Sequence, residues 1–171
     1  MRERDVERPA AHPFWQAGKP VPVRERVGGD HMTPDEFPTI FEEGWALPKP
    51  QPFLEYFLPL VAPDAVFIQP SFRDAHGRAR IERTFRRLFT LYPDLVAVPQ
   101  RSAVSGDTVY IESICTTRLG GSQFSFAVCD RFVIRDGMLA ERRSYTDPGP
   151  AARALLRHPT AWPRAIRSRL P

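Results

Sequence analysis

Between Thr108 and Thr146 apolar and polar residues alternate with a period of two, in three runs: Thr108 to Leu119, Ser122 to Ile134 and Met138 to Thr146. β-Branched and aromatic residues dominate these runs, and Gly120-Gly121 and Asp136-Gly137 separate them. Such dipeptides supply the positive φ angles of tight hairpin turns, so the pattern predicts two consecutive antiparallel hairpins. A two-residue turn at Gly120-Gly121 pairs Leu119 with Ser122 and sorts the side chains onto two faces. One face carries Val109, Ile111, Ser113 and Cys115 opposite Phe124, Phe126, Val128, Asp130, Phe132 and Ile134; the other carries Tyr110, Glu112, Arg118, Gln123 and Arg131. The first is the buried face.

Asp130 is the acid on that apolar face. A carboxylate without a partner is costly there, so it must find a cation or hold a proton. The obvious partner is an arginine on the third run, and which one depends on the second turn. A two-residue Asp136-Gly137 loop turns Arg143, Tyr145 and Asp147 inward, whereas a three-residue loop with Gly137 as the bulge residue turns Arg142, Ser144 and Thr146 inward. The alternation leaves both open.

Upstream the period changes to that of helices. Thr33-Pro34-Asp35-Glu36 has the form of a capping box with proline at the first helical position. Phe37, Ile40, Phe41 and Trp45 follow at helical spacing, with Pro38 expected to bend or shorten the helix. After the proline-rich connector Leu47 to Pro52, a short helix is expected from Phe53 to Leu58. Ala65 to Gln69 reads as a strand closed by Pro70, and Ser71 to Gly77 as a loop. Ala79 to Tyr92 reads as an amphipathic helix with Ile81, Phe85, Leu88 and Phe89 on one face and arginines off it. Leu95 to Val104 reads as a strand that Pro99 assigns to an edge or a bulge. Ala151 to Arg157 and Ala161 to Arg169 read as two short helices.

Composition adds limits to this outline. The chain has 171 residues and 19 prolines, the latter concentrated outside the hairpins. Residues 1–31 mix charge and proline without apolar periodicity and are expected to be a disordered extension. Gly28-Gly29-Asp30 shortly before Met32 suggests an upstream ribosome-binding sequence, making Met32 the expected start; a natively expressed peptide from upstream of Met32 would refute this. Residues 32–148 form the expected domain and 149–171 an arginine-rich helical tail. The formal charge of +4 resides in that tail, where five arginines face no acid. Without interleaved aromatics or a recognition motif, the tail reads as a solvated face, and nucleic acid is not the expected partner. Cys115 and Cys129 fall on opposite faces, and the four histidines lack metal-ligand spacing. No apolar run reaches 18 residues and no signal-peptide pattern is visible, so the expectation is a cytoplasmic protein without cofactor, metal or membrane span.

Two helices, a short strand, a helix and then a meander of long strands make an α+β plan. In it a curved, mixed but mainly antiparallel sheet wraps the N-terminal helices into a cone. The segment Phe53 to Asp147 resembles the nuclear transport factor 2 superfamily, in particular its SnoaL-like members. The resemblance is carried by Ala62-Pro63-Asp64-Ala65-Val66-Phe67, by Gly77 with Ile81, by Asp130-Arg131-Phe132, and by Asp136-Gly137-Met138-Leu139 with Tyr145-Thr146-Asp147. It implies that Asp130 stands where ketosteroid isomerases keep an oxyanion-hole acid and limonene epoxide hydrolases a catalytic aspartate. Gln69 stands where the isomerases carry a general base and the hydrolases a water-positioning asparagine; glutamine can hold a water but cannot take a proton. Val128 replaces the hydrolases' arginine, and Ser144 the aspartate that hydrolases and SnoaL-type cyclases share. The same resemblance favours the bulged turn, with Arg142 and Ser144 inward.

The resemblance thus implies a hydrophobic pocket with Asp130, Gln69 and Arg142 as catalytic groups. Ser144, Val128, Phe126, Tyr56, Phe67 and Trp45 are then the expected ligand contacts. The expected function is cofactor-independent proton transfer on a small apolar metabolite, by isomerisation, cyclisation, dehydration or hydrolysis. The rival is a non-catalytic small-ligand-binding or dimerisation module, in which Asp130 and Arg142 are a structural pair. Either way the resemblance implies a homodimer joined through the outer sheet face.

Overall fold

The three alternating runs become the long strands of one sheet in the computed structural model, which describes residues 31–70, 72–119, 121–159, 162, 163 and 166. The expected disorder of residues 1–31 (His31 apart) and most of the expected helix 161–169 lie outside the described residues. The strands are β1 (Val61–Ile68), β2 (Ala75–His76), β3 (Val96–Ser105), β4 (Thr108–Leu119), β5 (Ser122–Arg135) and β6 (Met138–Thr146). The helices are α1 (Phe37–Ala46), α2 (Gln51–Phe57), α3 (Arg78–Leu91) and α4 (Gly149–Arg157). Among the described residues the sheet has the order β2-β1-β6-β5-β4-β3. β1 and β6 run parallel and the other pairs antiparallel. The result is the curved α+β cone expected from the sequence.

Register explains which side chains enter the cone. β4 and β5 pair from Leu119↔Ser122 without slippage to Thr108↔Val133, as the glycine turn predicts. The second turn combines features of both alternatives. Arg135 pairs with Met138 across a two-residue turn, with Asp136 at φ 51° and Gly137 at φ 72°. The pairing then jumps from Ile134↔Leu139 to Val133↔Glu141, so Ala140 is the extra residue of a bulge. This shift places Phe132 opposite Arg142 and Asp130 opposite Ser144. The inward set is the one expected of a bulged hairpin, although the bulge lies beyond the turn.

Helix α1 buries Phe37, Ile40, Phe41, Gly44 and Trp45, the spacing of one helical stripe. Phe37 and Phe41 meet Phe132 of β5 at ring-centroid distances of 4.7 and 5.5 Å, and Trp45 meets Phe53 of α2 at 5.0 Å. Burying each such ring contributes about 2 kcal/mol, so these aromatic contacts fasten α1 and α2 against the sheet. Gly44 permits the α1–α2 crossing: a Cβ there would stand 2.2 Å from Phe57 Cε2. The capping box forms, Thr33 N–H donating to Glu36 Oε2 at 2.9 Å and Glu36 N–H to Thr33 Oγ1 at 3.4 Å. It closes a turn, and the helix begins only at Phe37. Pro38 therefore falls in the first helical turn, where its missing N–H costs nothing, and α1 starts three residues later than the capping box predicts, shorter at its N-terminal end as expected of this proline.

Other differences are local. β1 starts at Val61, four residues before the expected strand, because Val61 pairs with Leu139 before the register shifts on the way to Val66. The expected 71–77 loop contains the two-residue strand β2. β3 is both an edge strand and bulged, its register shifting between Pro99 and Arg101. No described helix is long and apolar enough to cross a membrane.

Candidate active site

Inward residues of β4, β5 and β6 form a lattice whose polar members are neighbours. Ile111, Asp130 and Ser144 share one row, and Ser113, Val128 and Thr146 share the next. Arg142 lies between Phe132 on β5 and Phe67 on β1, diagonally from Asp130. Its Nη2 donates to Asp130 Oδ2 at 3.0 Å. The two side chains are 11% and 5% exposed, so this ion pair is almost wholly withdrawn from water. The guanidinium carbon stands 5.9 Å from the Phe67 ring centroid and 6.0 Å from that of Phe85, whose electron-rich faces offset part of its desolvation. The contact is monodentate: Asp130 Oδ1 and Arg142 Nε have no hydrogen-bond partner.

Both groups border a cavity of about 90 Å³ at the open end of the cone. A water occupies roughly 10–15 Å³ on this scale, so the hollow admits a compact molecule rather than a long chain. Phe41, Trp45, Leu88, Phe126 and Val128 supply apolar wall. Gln69 enters from the end of β1, one step past Ile68, which pairs with Arg143. Five buried side-chain polar atoms among the described residues lack a partner, and four of them, on Gln69, Ser113, Asp130 and Arg142, belong to this cavity's lining. Each such atom costs about 1–3 kcal/mol, an expense borne at one place. Cys115 also faces the hollow; burial, reinforced by the Asp130 charge and opposed by Arg142, pushes its thiol up to about 12. It is therefore a small apolar wall residue rather than a nucleophile.

Of the residues singled out from the sequence, Asp130, Gln69, Arg142, Ser144, Val128, Phe126 and Trp45 line the cavity. Tyr56 and Phe67 do not. Tyr56 Oη donates to Glu43 Oε2 at 2.8 Å, joining α2 to α1, and Phe67 is covered by the Arg142 guanidinium. Ser113, inward by alternation but without a role in the resemblance, lines the cavity as well. Tyr92, Pro148 and Ala151 also line the hollow. Ala151 comes from the segment read as a tail, and Pro148 immediately precedes it: Asp147 Oδ1 accepts the Gly149 N–H at 2.8 Å and α4 folds back against β5. No periodicity in the sequence announces that return.

The SnoaL-like domain family model matches residues 52–142, more than half of the chain. The chain belongs to the SnoaL-like family. The matched stretch of this SnoaL-like domain includes Gln69, Asp130 and Arg142, while Ser144 lies just past its end. Solved structures share the fold. A SnoaL-like polyketide cyclase, so described provisionally, from Jannaschia sp. CCS1 is 21% identical over 70% of this chain and 88% of its own, with a TM-score of 0.62. IdmH from Streptomyces antibioticus, described in the same provisional way as a polyketide cyclase, is 20% identical over 71% of this chain and 97% of its own, with a TM-score of 0.60. A limonene-epoxide-hydrolase-like epoxide hydrolase of M. tuberculosis is 23% identical over 64% and 81%, with a TM-score of 0.52. No curated protein sequence matches the chain. At these identities the SnoaL-like neighbours establish architecture, and the chemistry rests on the residues of the cavity.

Proposed function

We propose that this SnoaL-like domain is a cofactor-independent enzyme that removes a proton from carbon next to a carbonyl of a small apolar metabolite, leading to cyclisation or isomerisation. The observation that carries this reading is the gathering of four side chains that each hold an unpartnered polar atom, Gln69, Ser113, Asp130 and Arg142, in the lining of one mainly apolar hollow. Arg142 Nε and Gln69 Nε2 are donors and call for an acceptor on the ligand. Asp130 Oδ1 calls for a proton, and the Ser113 hydroxyl serves either role. An enolisable carbonyl compound answers all of them. Because Asp130 Oδ2 already accepts from Arg142, the acid acts as a carboxylate and therefore as the base. It takes the α-proton while Arg142 and Gln69 hydrogen-bond the oxygen on which charge develops. The enolate then attacks a second carbonyl of the same molecule, or is reprotonated at another carbon, and Asp130 returns the proton. Gln69 is a positioning and oxyanion group in this scheme, not a base.

The exchange of α-protons of 2-tetralone with D2O, followed by NMR, tests the reading. The protein accelerates exchange, and Asp130→Asn, with unchanged circular dichroism, returns it to the buffer rate. Exchange that the wild-type protein leaves at the buffer rate, or that Asp130→Asn does not slow, refutes the reading. The Asp130–Arg142 ion pair favours a second reading, a non-catalytic binder whose pair is structural. It predicts ligand affinity without exchange. In either case we place the protein in the cytoplasm as a homodimer through the outer sheet face, where Val98, Tyr110, Ile114 and Tyr145 are exposed. Sedimentation at micromolar concentration with and without Ile114→Lys checks the dimer, which the substitution dissociates.

A further inference from the structure

Behind the main hollow lies a second, smaller one of about 20 Å³, and Phe41, Trp45 and Arg142 form part of the lining of both. Its remaining walls are aromatic and aliphatic, Val61 and Leu139 among them, so Arg142 is the polar residue on its surface. The volume is about that needed by one water, but a buried water needs two to four hydrogen-bonding partners. Here it would find at most the Nε–H of Arg142, which lacks a partner. The chamber is therefore better suited to an apolar group than to solvent.

We infer that this inner chamber is a subsite for one short alkyl branch of the ligand, a methyl or ethyl group carried next to the oxygen-bearing head that Asp130 and Arg142 bind. The inference rests on the acid–base reading of the outer hollow and narrows its substrates to α-alkylated carbonyl compounds. Three features support the placement. The shared walls put the chamber next to the polar head site. The Arg142 guanidinium lies across the Phe67 and Phe85 rings, so it meets the chamber side of the wall with an apolar surround. And a methyl group roughly matches the free volume, whereas a longer chain exceeds it.

Cyclic 1,3-diones test this, because their enolates mimic the charge-bearing intermediate of the proposed reaction. Dissociation constants are measured by calorimetry for 1,3-cyclohexanedione and its 2-methyl, 2-ethyl and 2-propyl derivatives. Filling the chamber with one methyl tightens binding roughly 4- to 10-fold, the usual worth of a methylene group in an apolar pocket, and propyl loses that gain. Val61→Leu narrows the chamber and abolishes the methyl preference while leaving affinity for the unsubstituted dione; Leu139→Phe provides the same comparison if Val61→Leu does not fold. Equal affinity for all four diones in the wild-type protein, with binding weakened by Gln69→Leu, which removes a donor to the enolate oxygen, overturns the chamber and leaves the acid–base site standing. Failure of every dione to bind overturns both.

Discussion

Replacing Arg142 by methionine keeps much of the side chain's apolar contact with Phe67 and Phe85 but removes the cation bound to Asp130. The carboxylate, 5% exposed, is then left with neither oxygen partnered. Breaking a buried pair in this way costs about 3–5 kcal/mol, a large part of the roughly 5–15 kcal/mol that holds a domain folded. Asp130→Leu leaves Arg142 with only the ring faces as compensation, and we expect about 2–3 kcal/mol. The double substitution removes both desolvation penalties and fills the space with apolar groups, so it should lie within about 1 kcal/mol of the wild type. Urea unfolding followed by tryptophan fluorescence measures all four proteins. With a slope of about 2 kcal/mol per molar, each single substitution lowers the midpoint by roughly 1–2.5 M, and the cycle shows a coupling of at least about 4 kcal/mol. Single substitutions that each cost under about 1 kcal/mol and add independently would show a hydrated pair. That result would undo the claim that these charges face a dry hollow.

Three further outcomes follow from other parts of the molecule. Burial brings the Lys49 ammonium down to about 8 from 10.5. The unfolded chain therefore holds the proton over a range where the folded one has lost it, and Lys49 contributes a stability that rises with pH between about 8 and 10.5. The Trp45 carbonyl that accepts from it and the Trp45 ring beneath it moderate the effect. Lys49→Met should flatten this part of the stability–pH curve, and an unchanged slope would contradict it. Cys115, its thiol held near 12, should resist iodoacetamide at pH 8 in the native protein and react fully in urea, as peptide mass spectrometry would show. Gly44→Ala forces a Cβ to within 2.2 Å of Phe57 Cε2 and should destabilise by about 1–3 kcal/mol, read as a lower melting temperature.

Much of the fold was legible because period and turn chemistry agreed. The Leu119↔Ser122 register and the inward row ending at Asp130 follow from two glycines and strict alternation. The pairing of Asp130 with an arginine follows from the cost of burying a lone charge. Which arginine enters was not legible from alternation, since Ala140 carries nothing that distinguishes a bulge from a paired position. Tyr56 lies outside the main hollow and Phe67 lines the smaller chamber behind it, because periodicity assigns a residue to a face but not to one cavity or another along it. The α4 wall stayed hidden for a different reason: it depends on where a helix lands after Pro148, a tertiary contact without a local signature. Asp94 is a similar case. Burial pushes its carboxyl up, but hydrogen bonds from Thr117 and the Arg118 N–H outweigh this and leave it below the usual value, fastening the end of β4 to the turn before β3.

The extra residue in β6 makes the chemistry of this wall depend on whether Ala140 bulges or pairs, rather than on composition. Drawing Ala140 into the ladder as an ordinary paired residue would leave every functional side chain in the gene and yet turn Arg143 and Tyr145 toward the ligand, sending Arg142 and Ser144 outside; deleting Ala140 would instead keep the present pairs in a regular ladder. An added codon at a strand's entrance can therefore be absorbed as a bulge and preserve the reactive groups, or join the ladder and exchange the whole set in one event. Comparing such chains position by position, counted from the hairpin tip, would then match residues that never occupied the same place.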